Sequence, residues 1–315
     1  MTDHLMYTAK KNGGLGFPKL NSIIGIAQLS KLAHTARMQE DESFVRLAVI
    51  ESKLNILEDR IIKALGVEVP YNLKTLEHCK QVIKDKAFQD WSKLTSQGKG
   101  VNYFQNYPLA NSFLYEDDQL PDNRFIDALK LRTNTAGVRV ALARAGGVSD
   151  KSCRHCRHPL ETLGHVIGKC TLHAQRRIAR HNAIVKMLTK HFGLRGFTIS
   201  VEPTIKLDRT VLKPDLIICK GNSRTVIDVT VRFEDDNMAE RAKQDKEQKY
   251  GILKDYFSDG KTFSVVPIIL GARGAIPKYT KCYFKRISLP RFIQKKISVC
   301  ALRSSIEIVN CHLDY

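Results

Sequence analysis

Lys213-Pro214-Asp215-Leu216-Ile217-Ile218 and Val226-Ile227-Asp228-Val229-Thr230-Val231 are apolar runs that each carry one acid. Lys220-Gly221-Asn222-Ser223 between them reads as a turn. Two strands joined this closely lie side by side, which brings Asp215 and Asp228 together. Carboxylates set in an apolar wall repel each other and resist desolvation. A divalent cation relieves that conflict, because it takes hard oxygen ligands. The expectation is Mg²⁺ or Mn²⁺ held by Asp215 and Asp228, with the Val229 carbonyl as third ligand. Such an ion polarises a phosphoryl oxygen and acidifies a bound water, the chemistry of a nuclease.

Alternation places Asp228 and Thr230 on one face of their strand, and Ile227, Val229 and Val231 on the other. Thr230 stands two residues past the second acid, where many nucleases carry a lysine. The segment that follows offers a substitute. Lys246, Lys249 and Tyr250 fall at i, i+3 and i+4 and share one helix face. A lysine looking at the acids stabilises the extra charge on a pentacovalent phosphate, and Lys246 is the candidate. The bland reading of these lysines is a solvated face. For the acids it is an ion pair with Arg209, Lys213 or Arg232.

Outward from this pair the pattern is mixed. Strands are expected over Phe197–Ile205, Leu212–Lys220, Thr225–Phe233 and Phe263–Leu270, with helices over about Leu172–His191, Met238–Phe257 and Ile287–Ala301. Helix, three strands, helix, strand is an α/β (α+β) unit with a mixed sheet. The N-terminal part is helical. Leu20, Ile23, Ile24 and Ala27 share a face, and Asp41 or Ser43 can cap a helix carrying Phe44, Leu47, Ala48, Leu54, Leu57, Ile61 and Leu65 up to Gly66. A third helix spans about Thr75–Leu94, and Pro121 opens a fourth that runs through Phe125 and Leu129 toward Leu142. The expected division is a helical region over 1–147, a zinc knuckle over 148–175 and an α/β domain over 176–315.

The knuckle rests on Cys153-x2-Cys156-x8-His165-x4-Cys170. Three thiolates and an imidazole in a compact segment suit tetrahedral Zn²⁺, and four protein ligands leave no position for substrate, so the zinc is structural. His158 and His173 are spare ligands. Arg154, His155, Arg157 and His158 can lie along phosphates. The other five cysteines are scattered, which fits a reducing compartment and no disulfide framework.

The net charge of +19 is uneven. Residues 1–150 carry 20 Lys and Arg against 17 Asp and Glu, whereas residues 151–315 carry 31 against 15. The second half therefore favours a phosphate backbone. No stretch is long and apolar enough to span a bilayer, and Met1-Thr2-Asp3-His4 does not begin a signal peptide.

Taken together these residues resemble the restriction-like endonuclease class of non-LTR retrotransposons, especially those inserting into ribosomal RNA genes. Gly13-Gly14-Leu15-Gly16, Leu131-Arg132-Thr133-Asn134 and the Cys-Cys-His-Cys knuckle with Glu161-Thr162-Leu163-Gly164-His165 carry the match. So do Arg180-His181-Asn182, Lys213-Pro214-Asp215, Ile227–Val231 and Lys246-x2-Lys249-Tyr250, in that order. The resemblance implies a restriction-endonuclease-like sheet and a fragment of a larger polyprotein whose nuclease nicks a target strand, the exposed 3′ hydroxyl then priming reverse transcription. It implies Asp215, Asp228 and Lys246 as the catalytic set, and Arg180, His181, Asn182, Lys249 and Tyr250 as DNA-facing residues. Double-stranded DNA, and element RNA, are the implied partners, and the nucleus the implied compartment. Tyr115-Glu116-Asp117-Asp118 mimics a polymerase signature but sits in a turn-like setting and is read as a loop. The fingers and palm of a polymerase are not expected in this chain. The rival readings are a zinc-knuckle module that grips nucleic acid without cutting, and an interaction scaffold in which the acids are an ion-pair network.

Overall fold

The computed structural model describes residues 2–27, 74–105, 107–116, 120–207, 210–235, 237–257 and 260–314. The expected helix from Asp41 or Ser43 to Gly66, as well as Arg209, Asp117 and Asp118, lie outside the described residues. Tyr115 closes a turn, as expected. The chain forms two compact units, one of Thr2–Lys10 and Gly14–Lys93, the other containing Lys11–Gly13 and Leu94–Tyr315.

In the smaller unit α1 (Asp3–Tyr7) is capped by Thr2, whose hydroxyl accepts from the His4 N–H, and it packs on α2 (Lys74–Ser92). Residues 20–27 are helical, as their periodicity predicts.

The larger unit holds the chemistry. Pro121 precedes α3 (Asp122–Arg132) as expected, but the helix does not run on to Leu142. Asn134 takes a left-handed φ of 53°, which ends the helix the way an αL cap does, and α4 (Arg139–Arg144) is separate. The knuckle segment follows, with α5 (Leu163–Gly168) started by the Thr162 hydroxyl accepting from the His165 N–H. Next come α6 (Ala174–Gly193), β1 (Thr198–Val201), β2 (Ile205–Leu207), β3 (Thr210–Leu212), β4 (Leu216–Lys220) and β5 (Ser223–Arg232). The chain ends with α7 (Met238–Gly251), α8 (Leu253–Tyr256), β6 (Thr262–Gly271), α9 (Lys278–Arg286) and α10 (Arg291–Leu313).

The main sheet has the order β1-β4-β5-β6. β1, β4 and β5 are antiparallel neighbours, and β6 joins β5 in parallel through α7 and α8, the mixed sheet the sequence predicts. Prolines and left-handed residues redraw four boundaries. Glu202 at φ 45° and Pro203 end β1, so Ile205 belongs to a separate hairpin that pairs β2 with β3. Pro214, which has no N–H to donate, separates that hairpin from β4. Pro277 caps an unexpected α9, and Pro290 starts a C-terminal helix that runs to Leu313 rather than ending near Ala301.

β4 and β5 read as unbroken apolar runs because both faces are covered. Leu216, Ile218, Ile227 and Val229 pack with Ile184, Leu188 and Phe192 of α6 and Ile297 and Ala301 of α10. Ile217 and Val226 face the other way, against Tyr250 and Leu253. No helix among the described residues is long and apolar enough to cross a membrane.

Two quoted motifs meet beneath this sheet. Arg132 of Leu131-Arg132-Thr133-Asn134 is fully buried and donates to Asn111 Oδ1 at 2.8 Å and to the Ala110 carbonyl at 2.9 Å. A side chain on Gly13 would stand 2.8 Å from its guanidinium, at a φ of 90°. A second buried arginine, Arg273, donates through Nε to Glu234 Oε2 at 2.9 Å. Removing Glu234 would leave the buried Arg273 guanidinium without its counter-charge, a cost of about 3–5 kcal/mol.

Candidate metal centres

Asp228 lies mid-strand in β5 on the face shared with Val226, where it is only 3% exposed. Tyr250 of α7 donates its hydroxyl to Asp228 Oδ1 at 2.7 Å and also lies 3.2 Å from the Lys213 carbonyl oxygen. Lys246, one helical turn earlier, brings Nζ to 2.7 Å from Asp228 Oδ2. That oxygen is buried and has no aligned hydrogen-bond donor, so Lys246 acts as a counter-charge at contact distance. The acid is thus partnered by Lys246, not by Lys213, which pairs with Glu202.

Asp215 directly precedes β4. The register Leu216↔Ile227, continued by one residue, places it opposite Asp228. Its Oδ2 accepts the Val229 N–H at 2.6 Å, and its Oδ1 is 3.1 Å from His181 Nε2. Strand N–H groups point along the sheet, so this carboxylate sits in the sheet plane just beyond the end of β4. The N–H and C=O of one strand residue share an edge, which puts the Val229 carbonyl on the side of Asp215.

The electrostatics follow from these contacts. The hydrogen bond to Asp215 raises the His181 pKa; burial opposes it, and the charges of Asp215 and Asp228 add to it. Burial, then the hydrogen bond to Asp228, pushes the Tyr250 phenol upward, so it stays a protonated donor. Two carboxylates from adjoining strands, a same-edge carbonyl and an undonated Asp228 Oδ2 form a hard-oxygen set that suits a small divalent cation.

The DNA-facing expectations divide. Arg180 is 3% exposed and donates to Ser305 Oγ and the Ile167 carbonyl, which commits it to the interior. Burial lowers its pKa to about 10. Tyr250 is likewise interior, at 1% exposed. Neither side chain can reach a duplex from there. His181 turns toward Asp215, while Asn182 and Lys249 are exposed. Triplet chemistry hid this split, because neighbouring positions on a helix point about 100° apart.

In the knuckle the ligand atoms of Cys153, Cys156, His165 and Cys170 all lie within 4.8 Å of one another. Cys153 Sγ and Cys170 Sγ are 3.9 Å apart, and Cys156 Sγ is 3.2 Å from His165 Nε2. Zn–S bonds of about 2.3 Å in a tetrahedron set sulfurs about 3.8 Å apart, so the cluster has the size for zinc. Burial pushes the Cys170 thiol up to about 12, a resistance to ionisation that a bound cation overcomes.

Glu161, fully buried, accepts from the Arg139 N–H at 2.9 Å, the Arg154 N–H at 2.8 Å and the Arg154 guanidinium. Burial pushes this acid up, but these donors outweigh it and hold it at about 2. His312 of α10 brings Nε2 to 3.1 Å from Glu161, its Nδ1 meets His173 Nε2 at 3.0 Å, and His155 Nε2 meets the His312 carbonyl at 2.9 Å. Arg154 and His155 are therefore occupied within the fold rather than laid along phosphates. Cys170, His173 and His312 also form a compact ligand group. The part played by Glu161 and His312 was not legible in the sequence, where 150 residues separate them.

No family model matches the chain. Individual proteins do match. It is 23% identical over 78% of its length to the Pol polyprotein of the type-2 retrotransposable element R2DM of Drosophila melanogaster. It is 27% identical over 86% of its length to the Pol polyprotein of the type-1 element R2 of Popillia japonica, and 25% identical over 66% of its length to one from Bradysia coprophila. The chain is a relative of R2 retrotransposon Pol polyproteins. It spans 22% of the Drosophila R2 polyprotein and 37% of the Popillia one. The likeness to non-LTR retrotransposon polyproteins that the motif order implies is thus borne out, and so is the mixed α/β architecture.

Proposed function

We propose that this chain is the metal-dependent DNA endonuclease portion of an R2-type retrotransposon polyprotein and nicks one strand of a duplex. The observation that carries this reading is that Asp215, just before β4, accepts from Val229 beside Asp228 in β5, with Lys246 Nζ 2.7 Å from Asp228. An acid pair with one lysine contact, lying in a half-chain of strong positive charge, is suited to a phosphodiester rather than to a neutral substrate.

The residues divide the work. Asp215 and Asp228 would hold Mg²⁺ or Mn²⁺, which when bound supplies Lewis acidity and an acidified water. Tyr250 and the Val229 N–H each donate to one carboxylate and so fix which oxygens remain free to ligate. Lys246 stabilises the charge gathering on the phosphoryl oxygens. His181, hydrogen-bonded to Asp215, orients that carboxylate. Asn182 and Lys249 lie exposed on the helices that carry His181 and Lys246, and would meet the DNA. The knuckle, holding Zn²⁺, is structural. Double-stranded target DNA and element RNA are the proposed partners, and the nucleus the proposed compartment.

The test is a nicking assay on supercoiled plasmid in Mg²⁺ and in Mn²⁺, parent against Asp228→Ala, with a gel-shift in parallel. Loss of nicking with binding retained supports the endonuclease. Equal nicking by both proteins sinks it. Binding without nicking in the parent favours the second reading, a non-cleaving module, for which the buried commitments of Lys246 and His181 to the acids are the supporting observation.

A further inference from the structure

The acids use one face and one end of the sheet. On the other face, toward the opposite end of β5, a cavity of about 800 Å³ opens between α6, β4, β5, β6 and the end of α9. Thr225, which lines it, is three residues and about 10 Å along the strand from Asp228, and points away from the Tyr250 side. Its described lining contains no carboxylate.

Three cations line this cavity: Arg195, Lys220 and Arg286. Lys220 Nζ is 5.1 Å from the centre of the Phe197 ring and donates to the Arg195 carbonyl at 2.8 Å. Arg195 donates to the Ser288 carbonyl at 3.3 Å, at the opposite rim. None of the three is paired with a carboxylate in a described ion pair, so their charge is available to an outside anion. Phe197 is half-buried in the wall, and the Thr225 and Ser264 hydroxyls, 3.0 Å apart, add donors and acceptors on the floor. Cations at the rim, a ring in the wall and hydroxyls beneath match a polyanionic backbone whose bases are unpaired and free to turn inward. A duplex keeps its bases stacked and cannot present them to this ring.

We propose that this cavity binds single-stranded nucleic acid, with phosphates at Arg195, Lys220 and Arg286 and a base against Phe197. The site stands whether or not the acid pair cuts DNA, because it shares no residue with that centre. RNA and single-stranded DNA offer the same backbone and bases, and the hydroxyl-rich floor is where a 2′-OH would be distinguished.

The experiment uses the full chain and fluorescent ten-nucleotide RNA, DNA of the same sequence, and the corresponding DNA duplex, followed by anisotropy across a salt series. Lys220→Glu with Arg286→Glu changes two cavity cations. Lys130→Glu with Lys151→Glu makes the same charge change at exposed positions outside the cavity. Single-strand affinity is expected to fall tenfold or more in the cavity variant and less than threefold in the control. The salt slope should drop by about 1.4, two phosphate contacts at roughly 0.7 each. Duplex affinity should change equally in both variants. Preference between the RNA and DNA arms identifies the source of the strand. Equal single-strand loss in the two double variants would overturn the proposal, as would an unchanged cavity variant. Crosslinking of a 5-iodouridine oligonucleotide gives an independent readout on the unmutated chain. Adducts on the Phe197 peptide support the site, and adducts confined to other peptides refute it.

Discussion

Lys246→Met isolates the charge that the nuclease reading assigns to this helix. Asp228 is almost wholly buried, and the Lys246 side chain keeps only 21% of its surface in water. Methionine preserves the length of the stem and removes the charge next to Asp228 Oδ2, an oxygen without an aligned donor. Breaking a buried pair costs about 3–5 kcal/mol, and the partly wet lysine argues for the lower end, about 3 kcal/mol. At about 2–4 °C per kcal/mol for a unit of this size, the melting temperature in EDTA should fall by about 6–12 °C. Mg²⁺ should then stabilise the variant more than the parent, because a bound cation replaces the missing counter-charge. Nicking should fall about 10²–10³-fold, the loss typical of one transition-state charge partner. Circular-dichroism melts with and without Mg²⁺, run beside the plasmid assay, measure all three. A variant that melts within 2 °C of the parent in EDTA, or one that Mg²⁺ stabilises no more than the parent, would refute the reasoning.

Further outcomes follow from other contacts. Tyr250→Phe removes the donor to Asp228 Oδ1 and should cost about 1.5–3 kcal/mol in urea melts, as loss of a bond to a charged group does. His181 has a raised pKa in the folded protein, so its contribution is complete below the unfolded value of about 6.5 and disappears as pH rises through the folded value. In EDTA, His181→Ala should therefore destabilise more at pH 5.5 than at pH 8.5, and an equal loss at both would contradict the ion pair. Elemental analysis should find one zinc per chain, and Cys156→Ser should abolish it and lower the melting temperature. Arg180→Lys should reduce stability through the Ser305 and Ile167 contacts while leaving duplex affinity per folded molecule unchanged.

The sheet was legible because its signal is local. Two apolar runs around a Lys-Gly-Asn-Ser turn dictate a hairpin, and the register Leu216↔Ile227, continued by one residue, sets Asp215 opposite Asp228. Lys246 was legible for the same reason, since helical spacing alone puts it beside Tyr250. The errors have one physical source, backbone exceptions. Glu202 and Asn134 adopt positive φ without being glycine, and each ends an element that periodicity would have carried further. The orientations of Arg180 and Tyr250 were not legible, because polar side chains on helices mark a functional face only when something else shows which side is covered. Arg154 reads as a phosphate ligand until the burial of Glu161 is known.

The last turn of α10 reaches back to the knuckle. His312 supplies the imidazole beside Glu161, while Ile297 and Ala301 of the same helix are locked into the sheet core. The Cys/His segment is therefore not a detachable module. During synthesis Glu161 leaves the ribosome long before His312 does, so it waits for its partner until the last turn of α10 has emerged. A minimal peptide over 148–175 would bind its ion with one side of its cage missing, and would report the affinity of a half-built room.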